Sequence, residues 1–250
     1  MVRLLVGWAT AILMVWSSTE LSAQQAVALE LVLALDTSTS VDTSEFELQR
    51  QGLAAAFLDQ CVQAAIRATG PIAVGVVHWS GRGKVRLAVG WQVLASTADA
   101  QRMAASISTA SRQVRGFTDI GGAITASADM IEANAFLGAR QVIDVSGDGT
   151  STAPGTGAAR DGAVARGITI NGLVIRVDEY DLGELANVDL LDHYERSVIG
   201  GPGAFVLVAD GFDDFARAIR LKLLREISGP VYSSAPARAP AARVATRQIE

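Results

Sequence analysis

The sequence has few of the residues that would suit a disulfide-stabilised or nucleic-acid-binding protein. Cysteine occurs once, at Cys61, so an exported monomer can form no internal disulfide and must be stabilised by core packing. The 21 Lys and Arg residues are outnumbered by 26 Asp and Glu residues, which gives a formal net charge of −5. Because no excess of positive charge is available to neutralise phosphates, nucleic acid is not expected as a partner. Half of the residues are hydrophobic, which suits one globular domain.

The N-terminus has the three-part pattern of a secretory signal peptide. A basic start is followed by the apolar run Leu4 to Trp16 and then by a polar stretch. We predict cleavage after Ala23 and a protein that is periplasmic or secreted, with no transmembrane segment in the mature chain. The alternative is a retained anchor, because Leu21 is large for its place before the cleavage site. The apolar run is shorter than the roughly 20 residues that a spanning helix needs.

Alternating strand and helix patterns indicate one domain over residues 29–228. Leu29 to Leu35 is a nearly unbroken apolar run, typical of a strand covered on both faces of a parallel sheet. The runs Pro71 to Trp79 and Lys84 to Trp91 predict a hairpin with one antiparallel edge strand. Further strands are predicted at 140–146, 168–177 and 204–208, and helices at 42–66, 97–109, 120–134, 156–166, 182–195 and 212–227. We therefore predict an α/β fold, a doubly wound and mostly parallel sheet with helices on both faces.

Three smaller predictions accompany this fold. Residues 24–28 are interpreted as a linker, and residues 229–250, rich in Pro, Ala, Ser and Arg, as a disordered tail. Cys61 shares a helical face with Phe46 in the predicted first helix, so we expect it to be a buried small hydrophobic residue. His78 and His193 have no evident catalytic partner and are predicted to be structural.

Oxygen-bearing side chains cluster where predicted strands end. Asp36, Ser38 and Ser40 follow the first strand as Asp-x-Ser-x-Ser, and hydroxyl and carboxylate oxygens are ligands that suit Mg²⁺. Thr118 precedes a predicted helix, and Asp148 follows a predicted strand. In doubly wound folds ligands bind beyond the carboxyl ends of strands, so the three loops can share one crevice. The alternative interpretation is a hydrogen-bonded loop that caps the next helix and holds no metal.

The order of these residues resembles the metal-ion-dependent adhesion site (MIDAS) of von Willebrand factor A domains. The sequence around these residues is similar to that of a bacterial family known as domain of unknown function 1194. The resemblance implies that Ser38, Ser40 and Thr118 ligate the metal directly, while Asp36 and Asp148 hold coordinated waters. It also implies a coordination position that an Asp or Glu of a partner protein fills.

Two acidic residues complicate this assignment. The third motif reads Ser146-Gly147-Asp148-Gly149 where the superfamily often has Thr-Asp-Gly, so Asp144 is a rival to Asp148. We favour Asp148, because Asp144 would lie deeper in the sheet, where an unpaired carboxylate is costly. Asp119 could ligate the metal, repel a partner's acid or cap the next helix.

These observations predict an exported, non-enzymatic module that binds an acidic side chain of a partner protein through Mg²⁺, with Mn²⁺ or Ca²⁺ as alternatives. Two other functions stay open. One is a metal-assisted hydrolase built on Asp36 and Asp148, although the three loops offer no His, Cys or Lys as a general base. The other is a metal-free structural or assembly domain.

Overall fold

A computed structural model describes residues 24–151, 153–177 and 190–229 of the chain. Its main sheet has six strands in the order β4-β3-β2-β6-β7-β8, and a separate two-stranded sheet pairs β1 with β5. The strands are β1 Gln25–Val27, β2 Leu29–Asp36, β3 Ile72–Trp79, β4 Val85–Leu94, β5 Phe136–Gly138, β6 Gln141–Gly147, β7 Thr169–Arg176 and β8 Val206–Asp210. The helices are α1 Thr43–Leu58, α2 Gln60–Thr69, α3 Thr97–Thr109, α4 Ile120–Glu132, α5 Thr156–Ala165, a π-helix Tyr194–Val198 and α6 Phe215–Ser228.

The strand pairing confirms the predicted sheet. β2 pairs in parallel with β3 and β6, and β7 pairs in parallel with β6 and β8. β4 pairs antiparallel with β3 and forms one edge, as the hairpin pattern predicted. Every residue of β2 is buried, which explains its nearly unbroken apolar sequence.

Alternate residues of the central strands supply two cores, one on each face of the sheet. Leu31, Leu33 and Leu35 of β2 belong to the core that also contains apolar residues of α1, α2, α3 and α6. Val32 and Ala34 belong to the opposite core, with residues of α4, α5 and the π-helix. Because successive side chains of a strand point to opposite faces, one strand contributes to both cores. The predicted helical layers on both faces are therefore confirmed.

The prediction of one helix over residues 42–66 is wrong, because this segment forms two helices. Asp42 and Glu45 form the predicted capping box that begins α1. At Asp59 the backbone becomes extended, and its Oδ1 accepts hydrogen bonds from the N–H groups of Cys61 and Val62, which begins α2. The break changes the helical phase, so Cys61 is exposed and the prediction of a buried Cys61 is wrong.

Other differences are local. Gln25–Val27, within the region interpreted as a linker, forms β1 beside β5, and neither three-residue strand was predicted. β8 begins two residues later than predicted, at Val206. Most of the predicted helix 182–195 and nearly all of the predicted tail lie outside the described residues, as do residues 1–23 of the predicted signal peptide. Among the described residues, no helix is long and apolar enough to cross a membrane.

Candidate metal site

The structure brings Asp36, Ser38, Ser40 and Asp148 together at the carboxyl edge of the sheet. β2 ends at Asp36 and its parallel neighbour β6 ends at Gly147, so the two following loops leave the sheet side by side. Asp36 Oδ1 accepts a 2.7 Å hydrogen bond from the Ser38 N–H. The Ser38 and Ser40 hydroxyl oxygens are 2.9 Å apart, and the Ser40 hydroxyl donates to Asp148 Oδ1 at 2.9 Å. These four polar residues therefore form one continuous chain of contacts.

The segment that carries Thr118 is held against the same loop by backbone hydrogen bonds. The Thr39 N–H donates to the Gly116 carbonyl at 2.8 Å, and the Thr37 hydroxyl donates to the Val114 carbonyl at 2.9 Å. Thr118 Oγ1 lies 3.8 Å from the position that a Cβ would occupy at Gly149. Thr118 is thus beside the loop of Asp148, as the shared crevice requires.

Asp36 is the most strongly perturbed acid of this cluster. Its side chain is fully buried, and its Oδ2 has no hydrogen-bond partner among the described residues. Burial, and then the charge of Asp148, raise the pKa of Asp36 to about 8, against the opposing hydrogen bonds from Ser38 and the charge of Arg112. A buried carboxylate oxygen without a partner is costly, so this atom calls for a cation or an ordered water.

Tyr194 and Gly147 belong to the site, and the sequence patterns did not point to either. A Cβ at Gly147 would lie 2.8 Å from Tyr194 Oη and 3.1 Å from Asp36 Oδ2. Tyr194 is fully buried, and its hydroxyl also has no partner among the described residues. Burial, followed by the charges of Asp36, Asp148 and Asp144, raises the pKa of Tyr194 well above its ordinary value. Its hydroxyl therefore stays protonated and can donate into the site.

The two other acids considered from the sequence have different positions. Asp144 lies within β6 and is buried, and its Oδ1 is 2.6 Å from Lys222 Nζ. Asp119 is the N-cap of α4, and its Oδ1 accepts a 2.9 Å hydrogen bond from the Gly122 N–H. Of the roles considered for Asp119, the described contact is the helix cap. Asp148, rather than Asp144, is the acid in contact with Ser40.

Among the described contacts, neither histidine touches Asp36, Ser38 or Ser40. His78 lies in β3, where its Nδ1 accepts a hydrogen bond from the Gln113 N–H at 3.3 Å and its ring packs edge-on against Phe46. Burial, and then the charge of Arg112, lower the pKa of His78 to about 4. His193 packs edge-on against Tyr194, and burial lowers its pKa.

The donor set fits a hard divalent cation. It consists of two carboxylates and three hydroxyls, and oxygen ligands of this kind are the ones that Mg²⁺ and Mn²⁺ accept. In the part of the chain that the structure describes, no three His, Cys, Asp or Glu side chains gather in a way that could hold a metal ion. Any metal site here must therefore rely on Ser38, Ser40 and Thr118 as well as on the two acids.

Phe117 adds an apolar element to the rim of the site. Its side chain is 77% exposed, although it precedes Thr118 directly. The backbone beneath it is fixed, because Gly81 of the β3–β4 turn packs against it and Lys84 Nζ donates to the Arg115 carbonyl at 2.9 Å. Phe117 thus presents an aromatic ring to solvent directly beside the loop of Thr118.

A family model described as protein of unknown function (DUF1194) matches residues 26–231. The chain belongs to the DUF1194 family. No curated protein matches the sequence.

Among solved structures, the DUF1194 chain is similar to the pilus adhesin SpaC from Lactobacillus rhamnosus GG in its open conformation. The TM-score is 0.60 at 15% identity, over 83% of this chain and 31% of SpaC. It is also similar to proximal thread matrix protein 1 (PTMP1) from the mussel byssus, solved with a zinc-occupied MIDAS motif. Here the TM-score is 0.55 at 15% identity, over 82% of this chain and 49% of PTMP1.

A von Willebrand factor type A protein from Catenulispora acidiphila is matched at a TM-score of 0.47 and 16% identity, over 82% of this chain and 43% of that protein. The DUF1194 chain thus spans less than half of the length of each of these three proteins. The likeness to SpaC and PTMP1 shows the fold alone, and the predicted α/β fold, a mostly parallel sheet with helices on both faces, is confirmed.

Proposed function

We propose that this DUF1194 protein is an exported binding module that captures an acidic side chain of a partner protein through a divalent cation. The cation is Mg²⁺, with Mn²⁺ and Ca²⁺ as alternatives. Ser38, Ser40 and Thr118 would ligate it through their hydroxyl oxygens, and Asp36 and Asp148 would hold its waters and balance its charge. The pairing of Ser40 with Asp148 is the observation that carries this proposal, because it joins the two loops that the site requires.

The chemistry of these residues favours an anionic ligand. Direct ligation by neutral hydroxyls leaves most of the positive charge of a cation uncompensated at its open side. A carboxylate from another protein is then attracted strongly, whereas a neutral group is not. The zinc-occupied MIDAS motif of PTMP1 supports the choice of a divalent metal, and the adhesin SpaC supports a binding role.

Calorimetry with Mg²⁺ tests the metal site. We expect the wild type to bind Mg²⁺. The Ser40→Ala variant should bind it at least about tenfold more weakly, because it lacks the hydroxyl that is proposed to ligate the cation. Ser44→Ala is the matched control, because the Ser44 hydroxyl contacts only the cap residue Asp42 among the described contacts. Absence of Mg²⁺, Mn²⁺ and Ca²⁺ binding at millimolar concentration would leave a metal-free assembly domain as the function.

Capture from an envelope extract, with and without chelator, tests the partner. The proposal expects a protein that is retained only when metal is present and is released by an excess of free acidic peptide. Retention that chelator does not change contradicts it. Turnover of phosphate or ester substrates that disappears in Asp36→Asn would instead establish the metal-assisted hydrolase. Cell fractionation with N-terminal sequencing tests export and cleavage after Ala23.

A further inference from the structure

A second cluster of charged groups lies inside the core, away from the metal-site loops, and it brings a lysine and two acids together. Lys222 of α6 points at the sheet, where its Nζ is 2.6 Å from Asp144 Oδ1 and 2.9 Å from Glu226 Oε1. The side chains of Lys222, Asp144 and Glu226 are at most 1% exposed. Two acids thus share one ammonium in a place that water does not reach.

The surroundings of the cluster are mostly apolar. In register, Asp144 lies between Leu33 of β2 and Asn171 of β7. The Phe205 ring is 5.6 Å from Lys222 Nζ. The polar neighbours of the cluster include Asn171, whose amide donates to Glu226 Oε1 at 2.9 Å, and Ser146, whose hydroxyl is 3.3 Å from Asp144 Oδ1. The Arg140 guanidinium donates to the Glu226 backbone carbonyl at 2.8 Å.

Two oxygens of the cluster are unsatisfied. Asp144 Oδ2 and Glu226 Oε2 are buried and have no hydrogen-bond partner among the described residues. Desolvating charged groups costs several kcal/mol for each ion, and the cost is recovered only when the remaining polar atoms are satisfied. As an ion triad the cluster is therefore poorly compensated, whereas a neutral amide would remove two of its charges.

We propose that Lys222 and Asp144 form a covalent isopeptide bond between α6 and β6. Lys222 Nζ attacks Asp144 Cγ, the new N–C bond forms, and one Cγ–O bond breaks. Of the three ammonium protons, two leave with the departing oxygen as water and one stays on the amide nitrogen. The reaction is a condensation, so it needs no oxidant, reductant or activating group.

Glu226 is placed to move the protons. Its Oε1 contacts Lys222 Nζ, so it can take the first proton and leave a neutral amine, which is the nucleophilic form. It then returns the proton to the departing Asp144 oxygen and is ionised again at the end. Burial, and then the charge of Asp144, raise the pKa of Glu226 to about 7, which makes it a stronger base than an ordinary glutamate. Holding the reactants in contact removes the entropy cost of a bimolecular amidation.

Peptide mapping of the folded wild-type chain tests the bond directly. Trypsin cuts after Arg140, Arg160, Arg220 and Arg225, so the unlinked protein releases residues 141–160 and, separately, the dipeptide Leu221-Lys222. An amide on Lys222 blocks cleavage there. We expect a branched product that joins residues 141–160 to Leu221–Arg225, with the summed mass lowered by one water. A folded wild-type chain that releases only the separate peptides overturns the proposal.

Three variants test the assignment of roles. Lys222→Met cannot form the bond and should yield no branched product. Asp144→Asn should lose ammonia instead of water, and its linked peptide should have the same mass as that of the wild type. Glu226→Gln keeps the shape but loses the base, and should slow linkage by about 100-fold or more in samples taken over time. Linkage at the wild-type rate in Glu226→Gln contradicts the role of Glu226. All of these readouts are independent of metal binding.

Discussion

Ser40 donates a 2.9 Å hydrogen bond to Asp148, a residue 108 positions away in the sequence. The two residues stand on loops that follow neighbouring parallel strands, and their contact is what turns separate motifs into one site.

A double-mutant cycle should measure this contact without metal. The effects of Ser40→Ala and Asp148→Asn on the free energy of unfolding should not add, because the two variants remove the same hydrogen bond. We expect a coupling of about 1–2 kcal/mol, because a hydroxyl bonded to a carboxylate is stronger than a neutral pair. Chemical denaturation in chelator gives the values. Additivity within about 0.3 kcal/mol would mean that the contact contributes nothing to the free protein.

Gly147→Ala should damage the site through sterics alone. Its Cβ would meet Tyr194 Oη at 2.8 Å and Asp36 Oδ2 at 3.1 Å, and both groups are fully buried. We expect a loss of about 1–3 kcal/mol in unfolding free energy, as for overpacking of a core, and weaker Mg²⁺ binding. Gly90→Ala is the control, because a Cβ there meets no atom within 4 Å. Equal stability of the two variants would contradict the described packing of Tyr194.

His78 should make stability depend on pH in a defined direction. Its pKa is about 4 in the folded protein, below the value of 6.5 for an exposed histidine, so the unfolded chain takes up the proton first. The stability present above pH 6.5 is therefore lost as pH falls from 6.5 to 4, by about 3 kcal/mol.

The raised pKa values of Asp36 and Glu226 act in the opposite direction over an overlapping range, so the wild-type curve alone is not diagnostic. The contributions of Asp36 and Glu226 are common to the wild type and His78→Gln, so they disappear from the difference in unfolding free energy between the two proteins. That difference should fall with decreasing pH below 6.5. A flat difference would contradict the lowered pKa of His78, because it would mean that the folded and unfolded states take up the proton equally.

Phe117→Ser should separate partner binding from metal binding. The side chain is 77% exposed, so its removal should leave the free energy of unfolding and the affinity for Mg²⁺ nearly unchanged. If the ring packs against the partner beside the metal, affinity for the captured partner should fall by about tenfold or more. Leu137→Ser is the matched control, because Leu137 is 59% exposed on β5, in the small second sheet. Equal partner affinity of the two variants would remove Phe117 from the interface.

Sequence patterns predicted the fold well where a single strong signal operates. The apolar run of β2, the hairpin of β3 and β4 and the capping box of Asp42 each depend on local chemistry, and the structure has them all. They failed at Asp59, because an aspartate inside an apolar helical pattern can either face solvent or begin a new helix. Only tertiary packing of α1 and α2 decides between the two, and Cys61 moved to the surface as a result.

The candidate site divides in the same way. Asp36, Ser38 and Ser40 are close in sequence. Asp148 lies beside them because the loops that follow parallel strands leave the sheet at the same edge. The positions of Tyr194 and of the Lys222–Asp144–Glu226 cluster could not be predicted. Each depends on contacts between a helix and a strand that is distant in the sequence, and no periodic sequence pattern marks such contacts. A glycine directly before Asp148 was the one available hint of close approach.

The central claim is that one divalent cation joins the loops of Asp36, Thr118 and Asp148. Anomalous diffraction from crystals grown with Mn²⁺ tests it most directly. The account predicts one strong peak bounded by Ser38, Ser40 and Thr118, absent from crystals grown in chelator. Crystals with millimolar Mn²⁺ that show no peak there, or a peak only elsewhere, would contradict it.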